Sequence, residues 1–190
     1  MADVQTPLPV KLFIGMLTSL PELAPKVEAE LTSLYGSVDS RSGPALFDLT
    51  HYYDRSMGSP IYRFFFSFAK LIDPSSIAAI KLQTNELESI FASRYSNPVR
   101  PINLDPGYLE QSKIVLASTK NFFHRILIAQ GIYAEVTLHF QGGRWRFFPW
   151  TFPDYKTRSY LEFFTSLRSI YRSQLNEMGV RIRQTPKRRS

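Results

Sequence analysis

Gly131-Ile-Tyr-Ala-Glu-Val-Thr-Leu-His-Phe-Gln-Gly-Gly-Arg-Trp145 is the stretch from which the fold reads outward. Between Ile132 and Phe140 the even positions are Ile132, Ala134, Val136, Leu138 and Phe140; the odd ones are Tyr133, Glu135, Thr137 and His139. A period of two with this contrast marks a strand with one core face and one polar face. Gly142-Gly143 suits a two-residue type I′ turn, which sets Phe140 opposite Trp145 and Leu138 opposite Phe147. Upstream, Ala129-Gln130-Gly131 reads as a three-residue loop with Gly131 left-handed. Ile128 then pairs with Ile132, Ile126 with Ala134, and Arg125 lies across from Glu135, while His124 falls on the Val136 side. Both turns select the same buried side, so an antiparallel meander is expected here.

Working towards the N-terminus, Lys11–Leu17 is mostly apolar and reads as an interior strand. A helix starts near Pro21, with Leu23, Val27, Leu31 and Leu34 on one stripe and Gly36 at its end. Residues 37–44, rich in Ser, Gly and Pro, read as a loop before a strand over Ala45–Thr50. Ile61–Phe68 holds four phenylalanines and reads as a strand covered on both faces. Asp73-Pro74 caps a second helix with Ile77, Ile80, Thr84, Leu87 and Phe91 inward and Lys81 and Glu88 elsewhere. Adding Lys113–Ser118 as the next strand gives a ferredoxin-like βαββαβ start. Thr157–Met178 forms a final helix whose stripe (Tyr160, Phe164, Leu167, Tyr171, Leu175, Met178) must cover a sheet face. The expected fold is therefore α+β: one domain over 1–180, with an antiparallel-rich mixed sheet, a hairpin meander and a packed C-terminal helix.

The chain has 190 residues, enough for a substantial core, and is 44% hydrophobic and 21% charged, within the globular range. Its net charge of +7 is unevenly spread. Five of the 23 basic residues lie in 181–190, and without them 18 face 16 acidic side chains. That tail reads as a disordered, solvated end, with phosphate or anionic surfaces as its functional alternative. The absence of cysteine excludes disulfides, thiolate catalysis and Cys-ligated metals. No apolar run approaches membrane-spanning length and no signal-peptide pattern opens the chain, so a cytoplasmic protein without a membrane partner is expected.

Polar clusters concentrate between Arg100 and Tyr155 and suggest a pocket rather than core filling. Arg125 and Glu135 form a cross-strand ion pair or an anion-binding arginine held by a carboxylate. Asp105-Pro106-Gly107 reads as a turn, which would hold Asn103, Asp105 and Tyr108 beside a strand end. Lys120, among Ser118, Thr119 and Asn121, could meet a phosphate. Trp150 and Asp154 precede the last helix, as an aromatic lid or a simple cap. His51-Tyr52-Tyr53-Asp54-Arg55 could form the opposite wall of the same cleft. The three histidines lack metal-binding spacing, and no phosphate loop, dinucleotide turn, nucleophile elbow or kinase signature occurs. Metal, cofactor, oligomeric state and reaction are not specified by these patterns.

Several blocks together resemble one family: Lys11-Leu-Phe-Ile-Gly-Met-Leu17, Tyr52-Tyr53 with Met57-Gly58, Asn103-Leu-Asp-Pro-Gly-Tyr108, Leu116-Ala-Ser-Thr-Lys-Asn121, His124-Arg125, Gly131–Leu138 and Trp150–Tyr155. The chain resembles an uncharacterised prokaryotic family, domain of unknown function 4416, over nearly all of its length except the tail. The family pattern has an acidic residue just before the Met-Gly pair, where this chain has Ser56, so no carboxylate role carries over to that position. The resemblance implies no established activity. The leading expectation is a site for a small anionic or phosphate-bearing ligand, with catalysis an open option. Asp105, Lys120 and Glu135 would be its catalytic candidates, and Asn103, Tyr108, Arg125, Trp150 and Asp154 its ligand contacts. The alternative is an RNA-associated module using sheet aromatics (Tyr62, Phe64, Phe66) and the basic tail. A pure interaction scaffold would instead carry a large exposed apolar patch and no polar cleft.

Overall fold

The computed structural model describes residues 3–95 and 97–180; the basic tail 181–190 lies outside the described residues. Strand β1 (Lys11–Thr18) is buried along its whole length. A short 3₁₀ turn at Pro21–Leu23 leads into α1 (Ala24–Tyr35), which ends at Gly36 with a φ of 92°. Then come β2 (Val38–Leu46), the short α2 (Asp54–Met57) and β3 (Tyr62–Phe68). The Asp73 side chain accepts from the Ser75 amide, satisfying an orphan donor at the entry to α3 (Ile77–Arg94). Strands β4 (Asn103–Leu109), β5 (Lys113–Ser118), β6 (Ile126–Ala129), β7 (Ile132–Gln141) and β8 (Arg144–Phe147) follow, and α4 (Arg158–Glu177) closes the domain.

All eight strands form one open antiparallel sheet of order β2-β3-β1-β4-β5-β7-β6, with β8 also on β7. Because strand side chains alternate, the sheet carries two cores. On one face Leu12, Ile14, Met16, Phe64, Phe66 and Phe68 pack under α1 and α3. On the other, Phe13, Phe65, Leu109, Ile114 and Leu138 pack under Tyr160, Phe164, Leu167, Tyr171 and Leu175 of α4. The phenylalanine run of β3 thus serves both layers, as a strand covered on two sides must.

Several local expectations are corrected. Residues 37–44 are not a loop: β2 begins at Val38, and its Ser/Gly/Pro content reflects an edge strand with two register shifts. The strand expected over Ala45–Thr50 stops at Leu46. Asp105-Pro106-Gly107 is not a turn but the middle of β4, where the β1 ladder runs unbroken from Lys11↔Leu109 to Leu17↔Asn103. A Cβ on Gly107 would lie 2.6 Å from the Val115 carbonyl and 2.7 Å from the Phe13 ring, so this glycine permits close packing rather than a bend. The fourth strand of the βαββαβ succession is therefore Asn103–Leu109, not Lys113–Ser118, and the four strands run in the order β2-β3-β1-β4. Leu34 and Met178 are exposed, falling beyond the reach of the layers their helices cover.

Lys81 and Glu88 do not point away from the sheet. They sit four residues after Ile77 and Thr84, so they fall on the same helical stripe. The β4–β5 ladder covers only Gly107–Leu109 against Ile114–Leu116, and beyond it the two strands part. The Lys81 ammonium donates to the Leu104 carbonyl at 2.7 Å, and Glu88 accepts from the Leu104 amide at 2.7 Å. Helix α3 thus supplies the partners that a neighbouring strand would otherwise give to buried backbone groups.

The meander is present with two changes. The Gly142-Gly143 turn has both φ values positive, 61° and 78°, with Phe140↔Trp145 and Leu138↔Phe147 as expected. At the other end Ile126↔Ala134 holds, but the turn is the two-residue Gln130-Gly131, with φ of 51° and 75°, and Ala129 rather than Ile128 faces Ile132. A bulge between Leu127 and Ala129 absorbs the difference. A second bulge in β7, where Ile114↔Leu138 is followed by Val115↔Val136, exchanges the faces of the strand. Ile132 therefore packs in the α1/α3 core while Leu138 packs under α4. The single apolar side read from the alternation does not exist. Glu135 is 3% exposed and shares the α4 face with Leu116, its partner across the strands, whereas Val136 is only half-buried.

Candidate functional site

Helix α4 covers only part of its sheet face. The remainder, above Gly15, Asp105 and Leu116, is roofed by the segments 47–54 and 152–155, leaving a cavity of about 600 Å³. This is within the usual range for small-molecule sites. Of the residues expected from sequence, Asn103, Asp105, Lys120, Arg125, Glu135 and Asp154 line it; Tyr108 and Trp150 do not.

The floor is organised by Arg63 of β3, which is 4% exposed. Its Nη1 lies 3.0 Å from Asp105 Oδ2 and its Nη2 3.4 Å from Asp154 Oδ2. Gly15 permits this reach: a Cβ there would stand 2.8 Å from Nη1. Asp105 also accepts from Asn103 Nδ2 at 2.8 Å. Arg100 donates to Asn103 Oδ1 and, at 2.8 Å, to Glu88, tying the floor to α3.

The two carboxyls on this one guanidinium are pushed apart. Burial alone would raise Asp105, but the charges of Arg63 and Lys81, with hydrogen bonds from Arg63 and Asn103, outweigh it and hold Asp105 below the ordinary range. At Asp154 burial prevails over Arg63 and is reinforced by the charge of Asp105, so this carboxyl stays above its ordinary value. Burial also raises Tyr53, to about 12, with the Asp105 charge adding to it. Tyr155, 2% exposed, is raised well above the usual phenol range by burial. Its hydroxyl has no hydrogen-bond partner among the described residues, and neither has Arg63 Nε.

The opposite wall starts from Glu135. Its carboxylate receives Arg125 Nε at 2.7 Å and Thr137 Oγ1 at 3.1 Å, and His124 Nε2 lies 2.9 Å away. The expected Arg125–Glu135 pair is thus present, buried rather than solvated. Arg125 Nη1 also donates to the Ser118 hydroxyl at 3.0 Å and the Lys120 carbonyl at 2.9 Å, clamping the turn that carries Lys120. The Lys120 ammonium reaches across the mouth to the Tyr52 hydroxyl at 2.9 Å, and that contact holds the Tyr52 phenol below its ordinary range.

Trp150, expected as a lid, braces this wall from behind. Its ring stacks between Phe148, with centroids 4.8 Å apart, and His124, at 5.1 Å. Its Nε1 donates to the Val136 carbonyl at 3.0 Å, and Thr151 Oγ1 donates to the Thr137 carbonyl at 2.6 Å. The carbonyls set loose by the β7 bulge are thereby satisfied. Tyr108 packs against the α1/α3 core on the far side of the sheet. Arg63, Arg100 and Tyr155 were not foreseen as site residues. Arg63 had a visible signal, a lone charge in an aromatic strand, immediately before the phenylalanine run of β3.

Among the described residues no group of three or more His, Asp or Glu side chains is arranged to hold a metal ion. Nor is any helix there long and apolar enough to cross a membrane. The model of the family described as Domain of unknown function (DUF4416) matches residues 8–171. The chain belongs to this family. No curated protein and no solved structure matches the chain. The match to the unknown-function domain takes in every cavity-lining residue and stops within α4.

Proposed function

We propose that the cavity binds a small anionic ligand, bearing a phosphate or an equivalent acid group, with the acid group at Lys120 and the remainder directed inward. One observation carries this reading. Arg63, Lys81, Arg100 and Arg125 each have a carboxylate within ion-pair distance, whereas Lys120 forms no ion pair among the described residues and meets only a phenol. A buried cation already matched by carboxylates adds little attraction for a second anion, while an unmatched ammonium at a cavity mouth adds much. Phe47, Tyr53 and Phe152 supply apolar walls, and the partnerless hydroxyl of Tyr155 suits a polar group at the inner end of the ligand.

If the bound molecule reacts, Asp154 is the better proton carrier. Asp105 is stabilised as the anion by two donors, Arg63 and Asn103, so it does not take a proton cheaply, and the Glu135 carboxylate is already engaged by Arg125, Thr137 and His124. An RNA-binding role has less support. Phe64 and Phe66, the rings it needs on an open sheet, are 8% and 2% exposed beneath α1 and α3. The ferredoxin-like description of the first four strands rests on their order alone.

Thermal shift with inorganic phosphate, glycerol 3-phosphate and phenyl phosphate tests the proposal. A dissociation constant near 1 mM would stabilise the protein by about 1.4 kcal/mol at 10 mM ligand, roughly 4 °C for a chain of this size. The organic phosphates should exceed phosphate itself, and Lys120→Ala should abolish the shift without lowering the ligand-free midpoint. An equal shift in Lys120→Ala, or none with any of the three, would overturn it.

A further inference from the structure

The two outer edges of the sheet are treated very differently by the sequence. Strand β2 carries Asp39, Arg41, Pro44 and two register shifts, the ordinary means of keeping an edge from pairing with another chain. On β7 the opposite edge is shared by β8 and β6. Strand β8 is guarded by Arg144 and Arg146. Strand β6, Ile126-Leu127-Ile128-Ala129, has no charge and no proline, and all four of its residues are exposed. Just before it, Phe122 and Phe123 project from a turn closed by the Arg125 amide on the Phe122 carbonyl. Phe122, Phe123, Ile126, Leu127 and Ile128 are 42–80% exposed, a run of large apolar side chains with no counterpart elsewhere on the described surface.

We infer that this edge is the contact between two copies of the chain, β6 pairing antiparallel with β6 of the second copy about a two-fold axis. Three features favour a second copy over another partner. A strand without charge can face itself without bringing like charges together, and the nearest cation, Arg125, is already neutralised by Glu135 at 2.7 Å. An antiparallel strand is self-complementary, as a two-fold contact requires. The size also fits. With roughly 150–200 Å² on each large side chain, the exposed fractions amount to about 550 Å² per copy. That is about 1,100 Å² across the contact before backbone atoms are added, just above the lower bound for a specific interface. The figure of about 550 Å² on one copy is also at the upper end of what a monomer leaves uncovered. The pairing would join the two sheets into one continuous sheet.

Sedimentation velocity of the full chain between about 1 and 200 µM tests this, with folding checked by circular dichroism. The expected result is a species of twice the 21.9 kDa chain mass. Ile126→Glu, at a side chain 73% exposed, should give a folded monomer. The chain has no cysteine, so a single introduced thiol reports its own neighbourhood. Leu127→Cys should give a disulfide-linked dimer under mild oxidation, and Leu46→Cys on the β2 edge should not. A wild-type chain that stays monomeric throughout would overturn the inference, and so would a dimer that survives Ile126→Glu or cross-links through Leu46→Cys. A monomer that binds lipid vesicles through the patch would also overturn it.

Discussion

Replacing Arg63 with methionine removes the cation from the cavity floor while keeping most of its length. In the parent protein the guanidinium serves Asp105 and Asp154 at once, both within hydrogen-bonding reach and itself almost wholly buried. Removing one member of a buried charge cluster typically costs about 3–5 kcal/mol, because the remaining charge is left without compensation. Asp105 keeps its Asn103 contact, which places the expected loss near the lower figure, about 3 kcal/mol at pH 7. For a domain of this size that is a fall of roughly 10 °C in midpoint.

The loss should also depend on pH. Asp105 is depressed in the folded protein, so its stabilising effect is present above the unfolded carboxyl value of about 3.9 and fades as pH falls through its folded value. Asp154 is raised and has the opposite sign: its ionisation opposes folding, and that penalty is relieved as pH falls. Without Arg63, burial lifts both carboxyls, so at neutral pH the variant carries a penalty that protonation removes on acidification. Urea unfolding followed by circular dichroism at pH 7 and pH 5 should therefore give a smaller difference between parent and variant at the lower pH. An equally stable variant, or a difference that grows on acidification, would refute the assignment of Arg63 as the shared counter-charge.

Gly15→Ala should displace the same guanidinium, since the new Cβ would stand 2.8 Å from Nη1; a loss of about 1–3 kcal/mol in urea unfolding is expected. Glu135→Gln should cost a similar amount, about 1–3 kcal/mol, by leaving the buried Arg125 guanidinium facing a neutral amide, and should weaken the phosphate-dependent thermal shift because Arg125 orients the Lys120 turn. Lys11→Met should cost less than Arg63→Met. Lys11 is fully buried, but its partner Asp39 is 20% exposed and keeps the Ser67 hydroxyl at 2.6 Å, so water can compensate it; parallel melts of the two variants decide the order.

What could be read from the chain was what repeats along it. The stripe of α4 and the Gly142-Gly143 turn follow from local periodicity and dihedral demand, and both are found where expected apart from Met178, which lies exposed past the helix end. Strand β4 was hidden because Asp105-Pro106-Gly107 has turn composition, and only the neighbouring Phe13, Val115 and Leu116 make glycine necessary there for packing. The two faces of β7 were misjudged because its bulge depends on the register with β5, a non-local quantity that no alternation within β7 reveals. The charges that gather at the cavity were partly visible as polar clusters. Arg63 escaped because its role comes from distant partners: Asp105 and Asp154 lie 42 and 91 positions from it along the chain.

The parting of β4 from β5 makes the sheet permeable at one point. Lys81 and Asn85 of α3, which belong to the layer behind the sheet, look through that slot into the same space as Asp154 on the near side. A molecule seated there would act as a rivet through three layers. Its arrival should slow amide exchange in the middle turns of α3 as well as in the 152–155 segment, so occupancy would be legible from the back of the domain.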